Sequence, residues 1–582
     1  MDIFSVTTML GGLAFFLYGM RLLSDSLEKS YNGDLNKNLK AVTKNKFLTI
    51  LFGAGLTIAV QSSSAVTVML VGLVNSGIIE FGDTIGVMMG SNIGTTLTAW
   101  ILSLAGIDGS AWYINIFKPA NFAPILAFIG ILITMIGKKQ KTKNAGYVLL
   151  GFAILLFGMT VMSDAMAPLA EIDEFKNILT AFKNPILAVL VGAIFTGIIQ
   201  SSAASVAILQ AFSISGGITY GMAIPLIMGL NIGTCVTAMI SSIGVSKNAK
   251  KVAVTHLTIK IIGTLIFLIP FYILDAIFNF AFVDTSINPV MIAVIHSVFN
   301  IANTVILLPF TKQLEALTNK LVPGGDKSDG FRIVLDDRLL AMPSVAVERS
   351  LETLIDMSDL SMRSFLESVE IIFEYNDDKA EEILAMEDQI DKYEDYLGTF
   401  MMKLSKISLS DADTKSVTKI LHTIDDFERI GDHAVNLVDV AREIYEKKVE
   451  FSPDAQKEIQ TITAAMREIV DITQRCFKTN DTSLASYVEP LEQVIDGLKL
   501  IIKKNHINRL QTGVCTINHG FVLNDLITNY GRVSDHCSNV AVAVIESYHG
   551  TFGTHEYLNS VKNHNNEDFE RKFNEFSERF AL

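Results

Sequence analysis

The sequence contains one polar stretch twice, each time in the middle of a long apolar run. The copies are Gln61-Ser62-Ser63-Ser64-Ala65 and Gln200-Ser201-Ser202-Ala203-Ala204. No charged residue occurs from Phe47 to Ile79 or from Pro185 to Gly221. A Gln and several hydroxyls in such surroundings need hydrogen-bond partners, because an unpaired polar group in hydrocarbon costs several kcal/mol. The chain is therefore limited to folds that place polar groups inside a membrane and give them partners.

A second motif repeats at the same offset that separates Gln61 from Gln200, without a gap. Gly90-Ser91-Asn92-Ile93-Gly94-Thr95 falls on Gly229-Leu230-Asn231-Ile232-Gly233-Thr234. The register also continues upstream, where Gly12 falls on Gly151 and Gly19 on Gly158. Agreement over this length indicates an internal duplication, and its most repeated residues are polar ones inside the membrane.

The chain has two parts of opposite charge. Residues 1–320 carry 19 Lys and Arg against 14 Asp and Glu, whereas the rest of the 582 residues carries 28 against 47. The first part is predicted to be a multi-pass domain in the lipid bilayer, and the acidic part a soluble domain. No cationic surface suited to nucleic acid appears, and the four scattered cysteines indicate no disulfide framework or zinc site. No nucleophile–base constellation or nucleotide-binding loop appears, so an enzyme is not expected.

Segment lengths and lysine positions predict the topology. A helix needs about 20 residues to cross a bilayer, and segments 47–60 and 65–79, like their second-copy counterparts, are too short. Each pair is interpreted as a re-entrant helical hairpin with the Gln-Ser-Ser turn at its tip. Lysine-rich loops at 29–46, 138–143 and 247–251 are expected in the cytoplasm, together with the C-terminal domain. An odd number of crossings then separates the copies, which makes them inverted repeats, as in secondary transporters.

The predicted organisation is all-α and has four parts. These are membrane repeat 1 (1–144), membrane repeat 2 with a final transmembrane helix (145–320), a linker (321–342) and a cytoplasmic helical domain (343–570). Pro and Gly at 323–325 mark the linker. Beyond it, apolar residues at helical spacing with acidic outer faces predict an antiparallel helix bundle. The charged tail after Asn566 is expected to fray.

The repeated turns are predicted to bind an anion. Helix N-termini present unpaired backbone N–H groups and the positive end of the helix dipole, and Ser hydroxyls and Gln amides add neutral donors. The same groups can coordinate a small cation such as sodium, and the glycines of the second motif are expected to let the helix open. Packing of small residues with Ser bonding between helices is the alternative. His256 and His296 are interpreted as forming structural hydrogen bonds between helices.

Acidic residues in the soluble part form a candidate metal site. Asp425, Glu428 and Asp432 lie at i, i+3 and i+7 on one helix face, and Asp535 belongs to a related run further along the chain. Clustered carboxylates bind divalent or trivalent metals. A solvated acidic face is equally compatible with the pattern.

These motifs resemble those of two known families. QSSS and QSSAAS, GSNIGTT and GLNIGTC, and H-x-x-F-N at 296–300 resemble the type II sodium/phosphate cotransporter family, over residues 1–310. The run D-x-x-E-R-I-G-D-H at 425–433 resembles PhoU, the phosphate-uptake regulator, over residues 343–550. The sequence departs from the family at Lys260, where the family has Asn, and at Ala203, the counterpart of Ser64.

The resemblance implies sodium-coupled symport of inorganic phosphate across the cell (inner) membrane, with a cytoplasmic PhoU-like domain that meets a regulatory partner. By position, phosphate is expected at Gln61, Ser62, Ser63, Ser64, Gln200, Ser201 and Ser202. Sodium is expected at or near Asn92, Thr95, Asn231, Thr234 and Ser205. Lys118 or Lys260 would supply positive charge instead if either reaches the site. A phosphate exporter, a carrier of another oxyanion and a membrane-tethered phosphate sensor are the alternatives.

Overall fold

The computed structural model describes residues 3–30, 45–104, 119–166, 184–214, 217–324, 335–407, 409–549 and 567–582. These residues are almost entirely helical, and they contain no strand beyond one isolated bridge between Thr219 and Ser286. The chain divides into two compact units, Met1–Asp329 and Gly330–Leu582. The predicted all-α fold class is therefore confirmed.

The first unit contains the membrane helices. Its helices are α1 (Ile3–Ser30), α2 (Lys46–Val60), α3 (Ser63–Asn75), α4 (Phe81–Ser103), α5 (Pro119–Ile136), α6 (Gln140–Met166), α7 (Pro185–Ile199), α8 (Ser202–Ile214), α9 (Tyr220–Gly233), α10 (Cys235–Ser241), α11 (Lys247–Phe278), α12 (Pro289–Leu307) and α13 (Thr311–Leu321). Within the described ranges, five stretches are long and apolar enough to cross a membrane. They are Phe81–Ser103, Gln140–Ala165, Tyr220–Ser241, Lys247–Phe278 and Pro289–Leu321.

The helices of the two repeats pack in corresponding pairs: α2 lies against α4 in the first repeat, and α7 lies against α9 in the second. Glycines of the second motif make these contacts possible. A Cβ at Gly90 would lie 1.9 Å from the carbonyl oxygen of Ile50, and one at Gly229 would lie 2.2 Å from that of Val189. Because any side chain there would collide with backbone, the glycines let the paired helices touch directly.

The glycines of the second motif were expected to interrupt their helices, and the two copies differ in this respect. In the first copy, α4 continues without interruption from Phe81 to Ser103. In the second copy, α9 ends at Gly233 and α10 begins at Cys235. Helix opening is therefore wrong for the first copy, where close packing against α2 supports the helix around Asn92 from outside.

The second unit is a helix bundle. Its helices are α14 (Pro343–Ile371), α15 (Asp377–Leu404), α16 (Asp411–Glu446), α17 (Pro453–Thr479), α18 (Thr482–Ala485), α19 (Val488–Gln511), α20 (Ile517–His549) and α21 (Glu567–Arg579). The side chains of Asn376, Ser410 and Ser452 cap the first turns of α15, α16 and α17 by accepting backbone N–H bonds. Helix α16 packs against α14 and α20, and α17 and α19 pack against α20.

The charged C-terminal tail forms a helix that packs on the bundle. Helix α21 lies against α19, and Phe576 on its apolar face is buried. Lys572 Nζ lies 4.3 Å from the centroid of the Tyr487 ring and donates a hydrogen bond to Ser486 Oγ at 2.7 Å. The expected fraying is wrong, because the acidic residues of this segment occupy one helix face and leave the other free to pack.

Candidate functional site

The first repeated turn is a break between two helices. Helix α2 ends at Val60, and Gln61 follows in the left-handed conformation, with φ 55° and ψ 21°. Ser62 then caps α3, because its Oγ accepts a hydrogen bond from the Ala65 N–H at 3.1 Å. The two helices are bent by 119° at this break. The predicted hairpin therefore has a sharp turn at its tip, and its return within the bilayer stays a prediction.

The second repeated turn has the same backbone. Helix α7 ends at Ile199, and Gln200 has φ 56° and ψ 21°. The Ser201 Oγ accepts a hydrogen bond from the Ala204 N–H at 3.2 Å, as Ser62 does for Ala65 in the first copy. Positive φ is uncommon for a residue with a side chain, and such conformations cluster at functional sites. The duplication therefore extends to an uncommon conformation at the same residue type.

The two Gln side chains have different surroundings. Gln61 Nε2 donates to the Ile58 carbonyl at 2.6 Å, and its Oε1 accepts from Thr98 Oγ1 at 3.1 Å, which ties the first turn to α4. Gln200 is exposed at its turn. No hydrogen bond joins the two turns directly among the residues that the structure describes. The first turn is thus anchored, whereas the second presents its amide.

The first turn lies next to the second motif of the other repeat. Ser64 Oγ donates a hydrogen bond to the Thr234 carbonyl at 3.2 Å, across 170 residues of chain. Both residues are buried. Ser63 is also buried, whereas Ser62, Ser201 and Ser202 are partly exposed at their turns. The structure thus brings one candidate phosphate residue together with one candidate sodium residue, and it does so between repeats.

Three candidate sodium residues donate their hydroxyl protons to backbone carbonyls three or four residues earlier in the chain. Thr95 bonds the Ser91 carbonyl at 3.0 Å, Thr234 the Asn231 carbonyl at 2.6 Å, and Ser205 the Ser201 carbonyl at 2.9 Å. Because each hydroxyl proton is committed, each hydroxyl oxygen keeps lone pairs that can accept a cation.

Lys260 is a buried residue of the site. Its role was not defined by the sequence analysis. Lys260 Nζ donates to Asn231 Oδ1 at 2.9 Å and to Asn300 Oδ1 at 3.2 Å. Asn231 Nδ2 in turn donates to the Ile227 carbonyl at 2.9 Å. Lys118, the other lysine considered from the sequence, lies outside the described residues. The spacing of four residues between His256 and Lys260, like that between His296 and Asn300, was the only sequence signal for this contact.

The two membrane histidines were predicted to form hydrogen bonds between helices. His256 and His296 are buried, and the Nδ1 atoms of both have no hydrogen-bond partner among the described residues. The predicted interhelical hydrogen bonds are therefore not made by the Nδ1 atoms, and for the other ring nitrogens they stay a prediction. Asn300 Nδ2 donates to the backbone carbonyl of His296 at 2.8 Å instead, within α12.

In the soluble unit, the structure groups Asp432 with two acids that the sequence analysis did not select. Carboxylate oxygens of Glu387, Asp391 and Asp432 all lie within 4.8 Å of one another, close enough to hold a metal ion. The other predicted ligands, Asp425, Glu428 and Asp535, lie outside this group. Glu387 and Asp391 come from α15, and their spacing of four residues does not stand out in a chain part so rich in acids.

Electrostatics in this acidic group favour a cation. Burial first, and then the negative charge of Asp432, raise the pKa of Glu428 to about 7. Burial and neighbouring carboxylates also raise the pKa values of Glu387 and Asp391. Arg429 offsets part of the charge, since its Nη1 lies 2.9 Å from an Asp432 oxygen. Crowded carboxylates with raised pKa values gain from a bound metal, so the group fits a divalent or trivalent ion.

The most buried acid of the predicted run faces the other half of the bundle. Asp426 Oδ1 lies 2.8 Å from His536 Nδ1 and accepts from Asn539 Nδ2 at 3.0 Å. His433 Nδ1 lies 2.9 Å from Asn529 Oδ1. The separation in sequence between Asp426 and Asn529 equals that between His433 and His536. The soluble unit therefore also contains two related copies, which meet between α16 and α20.

These features define a class of protein. A helical membrane unit that contains the same interrupted helix pair twice, with polar residues at each interruption, is typical of secondary transporters. The family described as Na+/Pi-cotransporter matches residues 15–164 and again 154–290, and the PhoU domain matches residues 354–441. The chain belongs to the Na+/Pi-cotransporter family and carries a PhoU domain. This is a family of phosphate transporters in the membrane, not of enzymes.

Three relatives show the extent of the similarity. YjbB of Escherichia coli K12, named for inorganic phosphate export, is 21% identical over 94% of this chain and 99% of its own. Sodium-dependent phosphate transport protein 2A of Rattus norvegicus is 28% identical over 32% of this chain and 30% of its own. PhoU homolog 1 of Thermotoga maritima, named as a phosphate-specific transport system accessory protein, is 25% identical over 36% of this chain and 82% of its own. One name states export and another states sodium dependence, which makes direction and coupling the questions for experiment.

Proposed function

We propose that this chain is a symporter that moves inorganic phosphate together with sodium across the cell membrane. The observation that carries the proposal is the pair Gln61 and Gln200, both left-handed at a helix break and both followed by a Ser-capped helix. Helix packing alone does not require an uncommon backbone conformation. Its occurrence at both copies therefore supports a shared functional constraint.

Phosphate binds, in this proposal, at the two turns. The N-termini of α3 and α8 offer backbone N–H groups and positive dipole ends to an anion. Hydroxyls and amides of the turns add neutral donors; the proposed set is Gln61, Ser62, Ser63, Ser64, Gln200, Ser201 and Ser202. Neither turn contains Lys or Arg, which suits a transporter because the anion must also leave.

Sodium supplies positive charge that the turns lack. Moving phosphate into a low-dielectric site without a compensating positive charge is prohibitive. The buried Oδ1 of Asn92 has no partner among the described residues, which supports a bound cation close to the repeated motifs. Linkage then requires each ion to tighten the other, typically by about 5–150-fold. Titration of phosphate into purified protein in sodium and in choline buffer measures this factor. Equal affinities in folded protein would exclude sodium as the compensating charge.

Phosphate flux into proteoliposomes tests the function directly. We expect uptake of labelled phosphate to accelerate with an inward sodium gradient and to fall to the background of empty liposomes when choline replaces sodium. Sodium-independent flux would contradict symport. No flux in either buffer would favour the membrane-tethered sensor, and stronger inhibition by another oxyanion than by unlabelled phosphate would favour a carrier of that oxyanion.

Phosphate export is the second candidate, and the name of the E. coli relative, which aligns over 94% of this chain, favours it. A symporter runs in either direction according to its gradients, so the test must be made in cells. Cells that express the chain and hold a high internal phosphate level should retain phosphate if it imports. Faster loss of phosphate than in cells with the Gln200→Ala variant would assign export.

The PhoU domain acts, in this proposal, as a cytoplasmic regulatory domain of an inner-membrane transporter. Its metal site is centred on Asp432, with Glu387 and Asp391 as further ligands. Full-length protein prepared without chelators should carry near-stoichiometric metal that Asp432→Ala removes. Asp425→Ala is the matched control, because it removes a neighbouring carboxylate outside the group; metal loss in that variant would favour the helix face predicted from the sequence. Absence of metal from the wild-type protein would favour the alternative interpretation, in which the cluster is a solvated acidic face.

A further inference from the structure

Each membrane repeat contains a buried Asn at the same position, and the two Asn side chains have different hydrogen-bond partners. Asn231 Oδ1 accepts a hydrogen bond from Lys260 Nζ at 2.9 Å. Asn92 is the counterpart of Asn231 in the first repeat and is equally buried, but its Oδ1 has no hydrogen-bond partner in the described part of the chain. We infer that the Lys260 ammonium fills, in the second repeat, the cation position that the first repeat leaves to sodium at Asn92. This inference rests on the proposed sodium coupling and specifies how the repeats share it.

Lys260 is held at the meeting point of three helices. Its side chain extends from α11 to Asn231 on α9 and to Asn300 on α12, and the whole residue is 3% exposed. Both acceptors are side-chain amide oxygens, the kind of neutral oxygen that also coordinates hard cations. An ammonium that takes two such oxygens therefore stands where a bound monovalent cation would stand.

The charge of Lys260 remains available to an anion. A buried charge is costly unless an opposite charge compensates it, and neutral amide oxygens do so only in part. No described carboxylate pairs with this ammonium; its titratable neighbours are Cys235, His256 and His296. Since Thr234, three residues after Asn231, accepts a hydrogen bond from Ser64, the ammonium belongs to the same cluster as the first phosphate turn.

Among the described residues of the first repeat, no lysine takes the corresponding position. At the offset that relates the two repeats, Lys260 corresponds to Asn121, which is uncharged. A buried acceptor without a partner is destabilising, and a bound cation would satisfy it. Lys260 satisfies the side-chain oxygen of Asn231, and the equivalent oxygen of Asn92 has no such partner among the described residues. The transporter should move fewer sodium ions per phosphate than one with two open positions.

Lys260→Asn tests the inference, because it places at this position the residue type that the first repeat has and vacates the second cation position. The measurement is the number of sodium ions moved per phosphate, obtained in proteoliposomes from the gradients at which net phosphate flux vanishes. Lys251→Asn is the matched control. Lys251 is also buried in α11, and its Nζ also donates to an Asn side chain, that of Asn248, at 3.0 Å.

We expect Lys260→Asn to move one more sodium ion per phosphate than wild type, and Lys251→Asn to equal wild type. An unchanged ratio in an active Lys260→Asn protein overturns the inference and leaves symport standing. If wild-type flux is independent of sodium and Lys260→Asn flux depends on it, symport and the sodium site at Asn92 both fail, and only the replacement of a cation by Lys260 stands. Sodium-independent flux in both proteins overturns both proposals.

Two further variants give an answer even if Lys260→Asn does not transport. Sodium, compared with choline and without phosphate, should raise the melting temperature of purified full-length protein in detergent. Asn92→Ala should abolish this rise, because it removes the free cation ligand. Asn231→Ala should retain it, because its partner is the lysine and not sodium. Loss of the rise in Asn231→Ala, or its retention in Asn92→Ala, overturns the inference.

Discussion

The two membrane repeats share a backbone and differ in their polar contacts. Gln61 and Gln200 agree closely in φ, at 55° and 56°. Gly90 and Gly229 both bring their helices into backbone contact with a neighbour. The geometry that holds the two turns has therefore been kept in both copies, although the copies differ at many side chains.

The polar differences fall at equivalent positions. Thr57 Oγ1 donates to Ser91 Oγ at 2.8 Å in the first repeat, whereas its counterpart Thr196 has no partner for Oγ1 among the described residues, because Leu230 replaces Ser91. Asn92 and Asn231 show the reverse contrast, with the partner present only in the second copy. Backbone symmetry thus provides two similar positions, and side-chain divergence gives them different chemistry.

The largest expected effect concerns the shared feature. Gln61→Ala and Gln200→Ala should each abolish phosphate transport, because each removes one of the amides proposed to bind phosphate and leaves the anion without that partner. Gln61→Ala should also lower the melting temperature slightly, since Gln61 accepts a bond from Thr98 and exposed Gln200 has no such role. Proteoliposome uptake and melting temperature measure the two effects. Wild-type uptake by either folded variant would remove the turns from the substrate site.

Gly90→Ala and Gly229→Ala should destabilise the protein by similar amounts. The added methyl group would collide with a backbone carbonyl in both copies, and such overpacking typically costs about 1–3 kcal/mol. Gly55→Ala in α2 is the control, because a Cβ there meets nothing within 4 Å. Melting temperatures in detergent should fall for the first two variants only. A fall in one copy alone would show that the repeats pack differently.

A third test uses the paired threonines, and only the first-repeat variant should lose stability. Thr57→Val breaks the bond to Ser91 and should cost about 1 kcal/mol. Thr196→Val removes a buried hydroxyl without a partner and keeps the side-chain shape, so it should be neutral or stabilising. The melting temperatures of the two variants, measured side by side, give the answer. Equal losses would mean that Thr196 has a partner of its own.

The smallest effect is expected in the soluble unit, where Glu428 has Gly531 as its counterpart in the second copy. Burial and Asp432 raise the pKa of Glu428 from 4.5 to about 7, so the folded state binds this proton more tightly than the unfolded state. The resulting stability is fully present below pH 4.5 and is lost as the pH rises through about 7. Metal-free full-length protein should therefore melt at lower temperature at pH 8 than at pH 5. Glu428→Gln should reduce this difference, and an unchanged difference would contradict the assignment.

Local sequence patterns determined much of this protein. The constant offset between the two copies, the absence of charge around each turn and the periodicity beyond Pro343 predicted two membrane repeats and a helical soluble part. The ends of the helices before Gln61 and Gln200 were predicted correctly, and the starts of the following helices within two residues, because a polar turn within an apolar run must end one helix and start the next. The motifs were also specific enough to identify both families.

Tertiary structure alone decided which polar groups meet. Glu387 and Asp391 join Asp432 from another helix, and Lys260 reaches Asn231 across 29 residues of chain. Such pairs depend on how each helix is rotated about its axis and on which neighbour it faces, and hydrophobic periodicity fixes the apolar face without naming the partner. The same reason explains Asn92. Asn-Ile-Gly-Thr occurs in both copies, and only the surrounding helices show that Asn231 Oδ1 has an ammonium beside it, whereas Asn92 Oδ1 has no partner among the described residues.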